Sequence, residues 1–415
     1  MRISRTFGIA AVLAAAGFAA QAQDVKVNIL TEFWYTQTLD NVVRYNTAAK
    51  PGGVSTYYEG LSSGRLAENG FTIKRAEVYA SYKISDEWGA NIMFDPNNST
   101  SSVGNNILQD LVLAWTPKGT GVTVRGGQFK MPTTYESTLV SARDIIFYDR
   151  HQLARVFSER RDRGVWATYT YGKAEGFKGN VHVAVSNGST DDGSGGKTSQ
   201  DANAQKDYTF RFDGSYGKDH KFGFYYRAGQ TNLKVPGATI IPAAWTTAGV
   251  TQATISENRD KTTMAGIFYA YDTARWHFDA EYATGLLGRR FPTIFTTAAA
   301  PGREHLDQKF TGYAVTGVYR MGAHQLAARY DLMNYNSGDD WYTATSPYKT
   351  ATGDFSPKYT EVTVGYNYLF NPSKYTYGKV KVDYILRSKN FLNPAAGQTG
   401  EQGGNSAVMS VMVGF

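Results

Sequence analysis

The chain has 415 residues, no cysteine, 42% hydrophobic and 14% aromatic residues with 29 Tyr, and a formal net charge of +7. Absence of cysteine excludes a disulfide-stapled fold, and no internal run approaches the roughly 20 apolar residues of a membrane-spanning helix. The modest basic excess hints at anionic partners.

Read from the first residue, Met1 to Gln23 has the form of a secretory signal peptide: Arg2 and Arg5 lead a short apolar stretch, Phe7 to Ala20, and Ala20-Gln21-Ala22 supplies small residues for cleavage. Residues 1–22 are therefore expected to be removed, leaving 23–415 as one mature domain. The apolar stretch is too short to serve instead as a membrane anchor. Without Arg2 and Arg5 the formal charge falls by two units.

Alternation of apolar and polar residues between turn signals marks sixteen strands, near 25–37, 70–83, 87–95, 107–117, 121–131, 162–172, 177–187, 206–217, 220–230, 261–272, 275–286, 308–320, 323–335, 358–370, 375–388 and 404–415. Every second connection is a short turn: Ile84-Ser85-Asp86, Lys118-Gly119-Thr120, Lys173-Ala174-Glu175-Gly176, Lys218-Asp219, Thr273-Ala274, Met321-Gly322 and Asn371-Pro372-Ser373-Lys374. The connections between them are long and polar, such as Asn187 to Gln205 and Thr231 to Lys261. Seven short turns and eight long loops make an even strand number, the rhythm of a transmembrane antiparallel β-barrel with short periplasmic turns and long extracellular loops. The Gly/Ser-rich run Ser186 to Ser199 is expected to be an outer loop, with Asp191-Asp192 solvated.

The last strand alternates cleanly. Ala407, Met409, Val411, Val413 and Phe415 share an apolar face, as a lipid-facing strand requires. Phe415 resembles the terminal aromatic that outer-membrane assembly machinery reads, and its strand is expected to close the barrel against Val25 to Gln37.

The same parity separates lumen from lipid. Lys379, Lys381, Asp383 and Arg387 oppose Val380, Val382, Tyr384 and Leu386; Thr209, Arg211 and Asp213 oppose Tyr208, Phe210 and Phe212. Arg329 and Asp331 oppose Leu326, Ala328 and Tyr330, Arg75 and Glu77 oppose Ala76, Val78 and Ala80, and His277, Asp279 and Glu281 oppose Trp276, Phe278 and Tyr282. Lys or Arg facing mid-bilayer lipid costs about 2–4 kcal/mol, so the charged faces are expected inside. Sixteen strands leave an interior too wide for wall side chains to fill, hence a water-filled channel.

One loop differs from the rest. From Met131 to Arg163 it holds Arg143, Arg150, His151, Arg155, Arg160, Arg161 and Arg163 among the acids Glu136, Asp144, Asp149, Glu159 and Asp162. It is also rich in apolar residues, including Leu139, Ile145, Ile146, Phe147, Tyr148 and Leu153. Such a loop is expected to fold into the barrel as a constriction, where guanidinium groups favour anions. The alternative is a loop packed on the wall by ion pairs, with no part in selection.

Gly70-Phe71 through Arg75-Ala76, Arg125-Gly126-Gly127-Gln128-Phe129-Lys130-Met131-Pro132, Tyr148-Asp149-Arg150, Phe157 and Arg163-Gly164-Val165 resemble the phosphate-selective porin O and P family of trimeric outer-membrane porins. The resemblance implies an inward-folded third loop, a homotrimer, and anion-selecting basic residues at the constriction, here Arg125, Lys130, Arg143 and Arg150, with Arg155 beside them. Acids interspersed in the loop favour general diffusion of small anionic or neutral solutes, phosphate among them. Outer-membrane lipid and lipopolysaccharide are the expected surroundings. An outer-membrane enzyme would need a catalytic cluster, but the six His (His151, His182, His220, His277, His305, His324) are scattered singly and no hydrolase elbow appears. No nucleotide loop or metal-ligand cluster is present in the sequence, so neither cofactor nor nucleic acid is expected. A non-conducting structural or adhesin barrel is the other rival; no separate plug or passenger segment stands out.

Overall fold

The structure, a computed structural model, describes residues 25–39, 69–97, 107–158, 161–173, 176–188, 206–230, 261–287, 308–334, 337, 358–371, 378–388 and 405–414. The expected signal peptide, Phe415, Glu159, Arg160 and most of the long connections lie outside the described residues.

Sixteen strands form one closed barrel. In chain order they are β1 (Val25–Thr38), β2 (Asn69–Lys83), β3 (Trp88–Phe94), β4 (Leu108–Trp115), β5 (Val122–Lys130), β6 (Arg161–Gly172), β7 (Phe177–Ser186) and β8 (Asp207–Tyr216). The circle continues with β9 (His220–Gln230), β10 (Lys261–Asp272), β11 (Trp276–Leu287), β12 (Gln308–Met321), β13 (His324–Asn334), β14 (Lys358–Leu369), β15 (Gly378–Arg387) and β16 (Ser406–Gly414). Each strand pairs antiparallel with its chain neighbours, and the seam joins β1 to β16 from Leu30 opposite Gly414 to Thr38 opposite Ser406. Closure leaves no unpaired sheet edge, which is what lets a sheet cross lipid.

Parity decides the two faces. Leu326, Tyr330, Val382, Tyr384, Leu386 and Met409 are exposed on the outer surface, while Arg329, Asp331, Lys381, Asp383, Val408 and Ser410 between them are buried. The same holds in β8 and β11: Tyr208, Phe210, Trp276 and Phe278 face out, and Arg211, Asp213, Asp279 and Glu281 face in.

The interior departs from a simple polar lining. Phe147 and Tyr148 of the long β5–β6 loop form a buried apolar cluster with Val318, Ala327, Ile385 and Val408, which are inward-facing strand residues, and Trp34 and Ile146 pack against it. Part of the lumen is therefore protein rather than water, because the loop supplies side chains that a wall of this width cannot. At the loop's root Gly127 has φ +134°, and a Cβ there would lie 2.0 Å from the Leu111 carbonyl oxygen. Only glycine lets β5 approach β4 so closely.

Placing Arg at Val382, an outward position midway along β15, should destabilise the barrel by about 2–4 kcal/mol. Denaturant titration of the protein refolded in lipid vesicles reads this directly.

Candidate functional site: a loop clamped inside the barrel

The loop between β5 and β6 turns inward at Met131. It contains a short helix, α1 (Tyr135–Leu139), a 3₁₀ turn at Ala142–Asp144 and a π turn at Ala154–Ser158. Tyr135, Ile145, Phe147, Tyr148, Leu153 and Ala154 are buried, so its apolar content is spent against the barrel interior. A path this irregular leaves backbone donors and acceptors that no helix or ladder satisfies. Away from water each must find another partner.

Charged side chains of the wall are those partners. Lys379 Nζ donates to the Ile145 carbonyl at 2.6 Å, and Lys381 Nζ to the Phe147 carbonyl at 2.8 Å and to Glu32 Oε1 at 2.7 Å. Arg329 donates to the Asp149 carbonyl at 3.0 Å; Arg211 donates to the carbonyls of Thr133 and Thr134. Carboxylates take the donors. Glu281 accepts the Tyr135 amide at 2.9 Å, and Asp331 accepts the Gln152 amide at 2.6 Å. Hydrogen bonds with one ionised partner are shorter and stronger than neutral ones, so this set fixes the loop's course.

Glu361 is the densest node. Its carboxylate accepts from the hydroxyls of Tyr148 (3.0 Å) and Tyr359 (3.0 Å) and pairs with Arg155 at 3.1 Å, Arg329 at 3.4 Å and Arg387 at 3.3 Å. Arg387 also donates to Ser406 Oγ at 2.7 Å. Three guanidinium groups thus share one fully buried carboxylate. Toward β1 and β2, Asp149 of the loop pairs with Lys74 at 2.8 Å and Arg75 at 3.7 Å, and Arg75 reaches Glu32 at 3.2 Å. Burial alone would raise the Asp149 pKa, but Lys74, Arg155 and Arg75 outweigh it and hold the carboxyl well below its usual range. His151 Nε2 lies 2.9 Å from Glu281 Oε2. Burial opposes its charging, yet Glu136, Glu281 and Asp331 prevail and lift its pKa to about 9. The Ala154 amide at 3.3 Å from Nδ1 favours the neutral ring, but one long contact does not offset three carboxylates.

The cations singled out from the sequence divide into two groups. Arg75, Arg211, Arg329, Lys379, Lys381 and Arg387 face inward, as parity predicts, but they are buried or half-buried beneath the loop and committed to its backbone or to carboxylates rather than to water. Arg150 and Arg155, expected at the opening, are likewise withdrawn. Arg150 is buried and donates to the carbonyls of Glu136 and Val140, closing the loop on itself, while Arg155 pairs with Glu361. The reason is energetic: a buried irregular backbone and buried carboxylates need these charges more than the pore does. The other group is Arg125, Lys130 and Arg143. Arg125 is half-buried, stacks over Trp166 at 5.0 Å and donates to Thr168 Oγ1 at 3.1 Å. Lys130 ends β5, opposite Arg161 in register. Arg143, half-buried in the 3₁₀ turn, has no ion pair among the described residues. Glu32 and Glu361, which carry much of the clamp, escaped the sequence reading; their inward parity was the available signal.

Between the loop and the short-turn end of the barrel lies an open cavity of about 480 Å³. Its walls include Glu136, Leu139, Val140, Asp144 and Ile146 from the loop, and Lys218, Lys221, Asp272, His277 and Arg320 from the strands and turns.

Residues 54–415 match the family described as phosphate-selective porin O and P. The chain belongs to that family. It is a porin, an outer-membrane channel protein. No curated protein matches the sequence. Solved structures share the fold at low identity. The outer-membrane channel DcaP of Acinetobacter baumannii is 11% identical, with a TM-score of 0.58 over 95% of this chain and 98% of its own. The trimer form of OmpT, an outer-membrane protein of Vibrio cholerae, is 12% identical, with a TM-score of 0.51 over 95% and 100%. An anion-selective porin from Comamonas acidovorans is 10% identical, with a TM-score of 0.52 over 94% and 99%.

Replacing Glu361 with Ala should leave three buried guanidiniums without their carboxylate and cost about 3–5 kcal/mol. The loop should then become a tryptic target in the folded barrel, read by mass spectrometry of the fragments. A second expectation concerns alkaline pH. The His151 pKa is raised in the folded protein, so its stabilisation is complete below the ordinary 6.5 and is lost as pH rises through about 9. Single-channel current noise should increase across that window, and His151→Gln should remove the dependence.

Proposed function

We propose that this porin is a passive diffusion channel for small hydrophilic solutes, with a modest preference for anions and no dedicated phosphate site. The observation that carries this reading is the division of the lumenal cations. Arg329, Arg387, Lys379 and Lys381 of the wall are bonded to the loop backbone or to Glu32 and Glu361, whereas Arg125 contacts Thr168 and Trp166 and Arg143 has no ion pair among the described residues, so these two are placed to bias passing ions. Cations so placed in a hydrated opening raise local anion concentration without trapping any one anion. Family membership and the anion-selective porin of similar fold support the sign of the preference.

In this proposal the segment 131–163 is the constriction, positioned by the clamp, and 23–415 is the mature barrel after removal of 1–22. The trimer form known for OmpT supports a homotrimer here. Outer-membrane lipid and lipopolysaccharide surround the barrel, and the assembly machinery reads Phe415.

Reversal potential in a planar bilayer under a salt gradient tests the sign. The wild-type protein should favour anions, and Arg143→Glu should lower the anion-to-cation permeability ratio about twofold or more. A cation-selective wild type would sink the reading.

A further inference from the structure

The cavity at the short-turn end has a composition that simple ion passage does not require. On the strand side, Lys218 and Lys221 line it with no hydrogen bond or ion pair among the described residues. Of its other strand-side charges, Arg320 pairs with Asp272 at 2.6 Å, His277 lies 2.8 Å from Asp279 and 3.3 Å from Asp272, Lys379 donates to the Ile145 carbonyl, and Asp219 adds a carboxylate beside Lys218. On the loop side, Asp144 is exposed, while half-buried Glu136 accepts the His151 backbone amide at 2.6 Å and lies 3.8 Å from Arg329. The loop also lines it with apolar Leu139, Val140 and Ile146, and Leu139 is 37% exposed although it sits inside the barrel.

We propose that this cavity transiently binds small amphiphilic zwitterions, the class of apolar amino acids and short peptides. The inference rests on the channel reading above and adds a solute class to it. Each group of side chains selects one part of such a molecule. Lys218 and Lys221 attract its carboxylate, Asp144 its ammonium group, and the apolar side chains of the loop remove its hydrocarbon from water. A purely anionic solute meets the loop acids, a cation meets the two lysines, and a sugar leaves the apolar side chains wet. The volume of about 480 Å³ suits a molecule of this size.

The test uses the full-length protein in a planar bilayer, with leucyl-leucine, glycylglycine or isocaproate added on the short-turn side. Leucyl-leucine should produce concentration-dependent current interruptions lasting at least about fivefold longer than those of glycylglycine, the scale of discrimination an apolar contact supplies. Leu139→Ser and Val140→Ser should each shrink that difference, and Lys221→Gln should shorten the interruptions. Equal interruption by glycylglycine would overturn the apolar contact, and equal interruption by isocaproate would overturn the zwitterion in favour of an organic anion. A conducting channel without interruptions would overturn the site alone. Absence of any ionic current would overturn the channel reading and the site together.

Discussion

The charges that face inward from the strands do two things at once, and the structure depends on the first of them. An irregular segment of about thirty residues lies inside a barrel, where its amides and carbonyls are shielded from water. Lys379, Lys381, Arg329 and Arg211 supply donors to its carbonyls, and Glu281 and Asp331 supply acceptors to its amides. Without those groups the apolar cluster around Phe147 and Tyr148 would have no fixed partner surface, and the loop would have no defined path. Glu361 matters most because it couples four elements: the loop through Tyr148 and Arg155, β13 through Arg329, β14 itself, and β15 through Arg387.

This arrangement changes how a count of basic residues should be read. A lumen rich in Arg and Lys is not thereby an anion filter, since each cation bonded to a carbonyl or carboxylate has lost much of its reach into the pore. What acts on a passing ion is the remainder after internal pairing. Among the described residues the remainder is small, and the loop face toward the short-turn end carries acids and apolar side chains.

Much of the fold was legible in the sequence because a strand with one face in lipid has no freedom to vary its period. Strands such as β8, β13 and β15 show a single unbroken alternation, and a slip of one residue would put Arg211, Arg329 or Lys381 into hydrocarbon. The turn–loop rhythm then fixed the strand number, and the β1–β16 seam lies where the last alternating segment placed it. The inward course of the third loop was also readable, from apolar residues that no solvent loop needs. The fates of Arg150 and Arg155 were not. Parity reports which way a strand residue points, but a loop residue has no parity, and ion pairs between positions two hundred apart leave no local trace, as with Arg155 and Glu361. Val318, Ala327, Ile385 and Val408 were missed for a related reason: inward apolar residues look like exceptions until the loop that covers them is known.

The central claim is that the loop is held in place inside the barrel in the conducting state. The absence of cysteine from the chain allows a direct test. A Cβ at Gly312 of β12 would lie 2.7 Å from Leu153 Cδ2 of the loop, so Leu153→Cys and Gly312→Cys put two thiols on facing surfaces of loop and wall, where a short bis-thiol reagent or oxidation can bridge them. Single-channel conductance of this double variant should be compared before and after bridging. If the loop already occupies this position, the bridge forms readily and the conductance stays the same. A conductance that changes when the bridge forms would contradict a loop clamped to the wall.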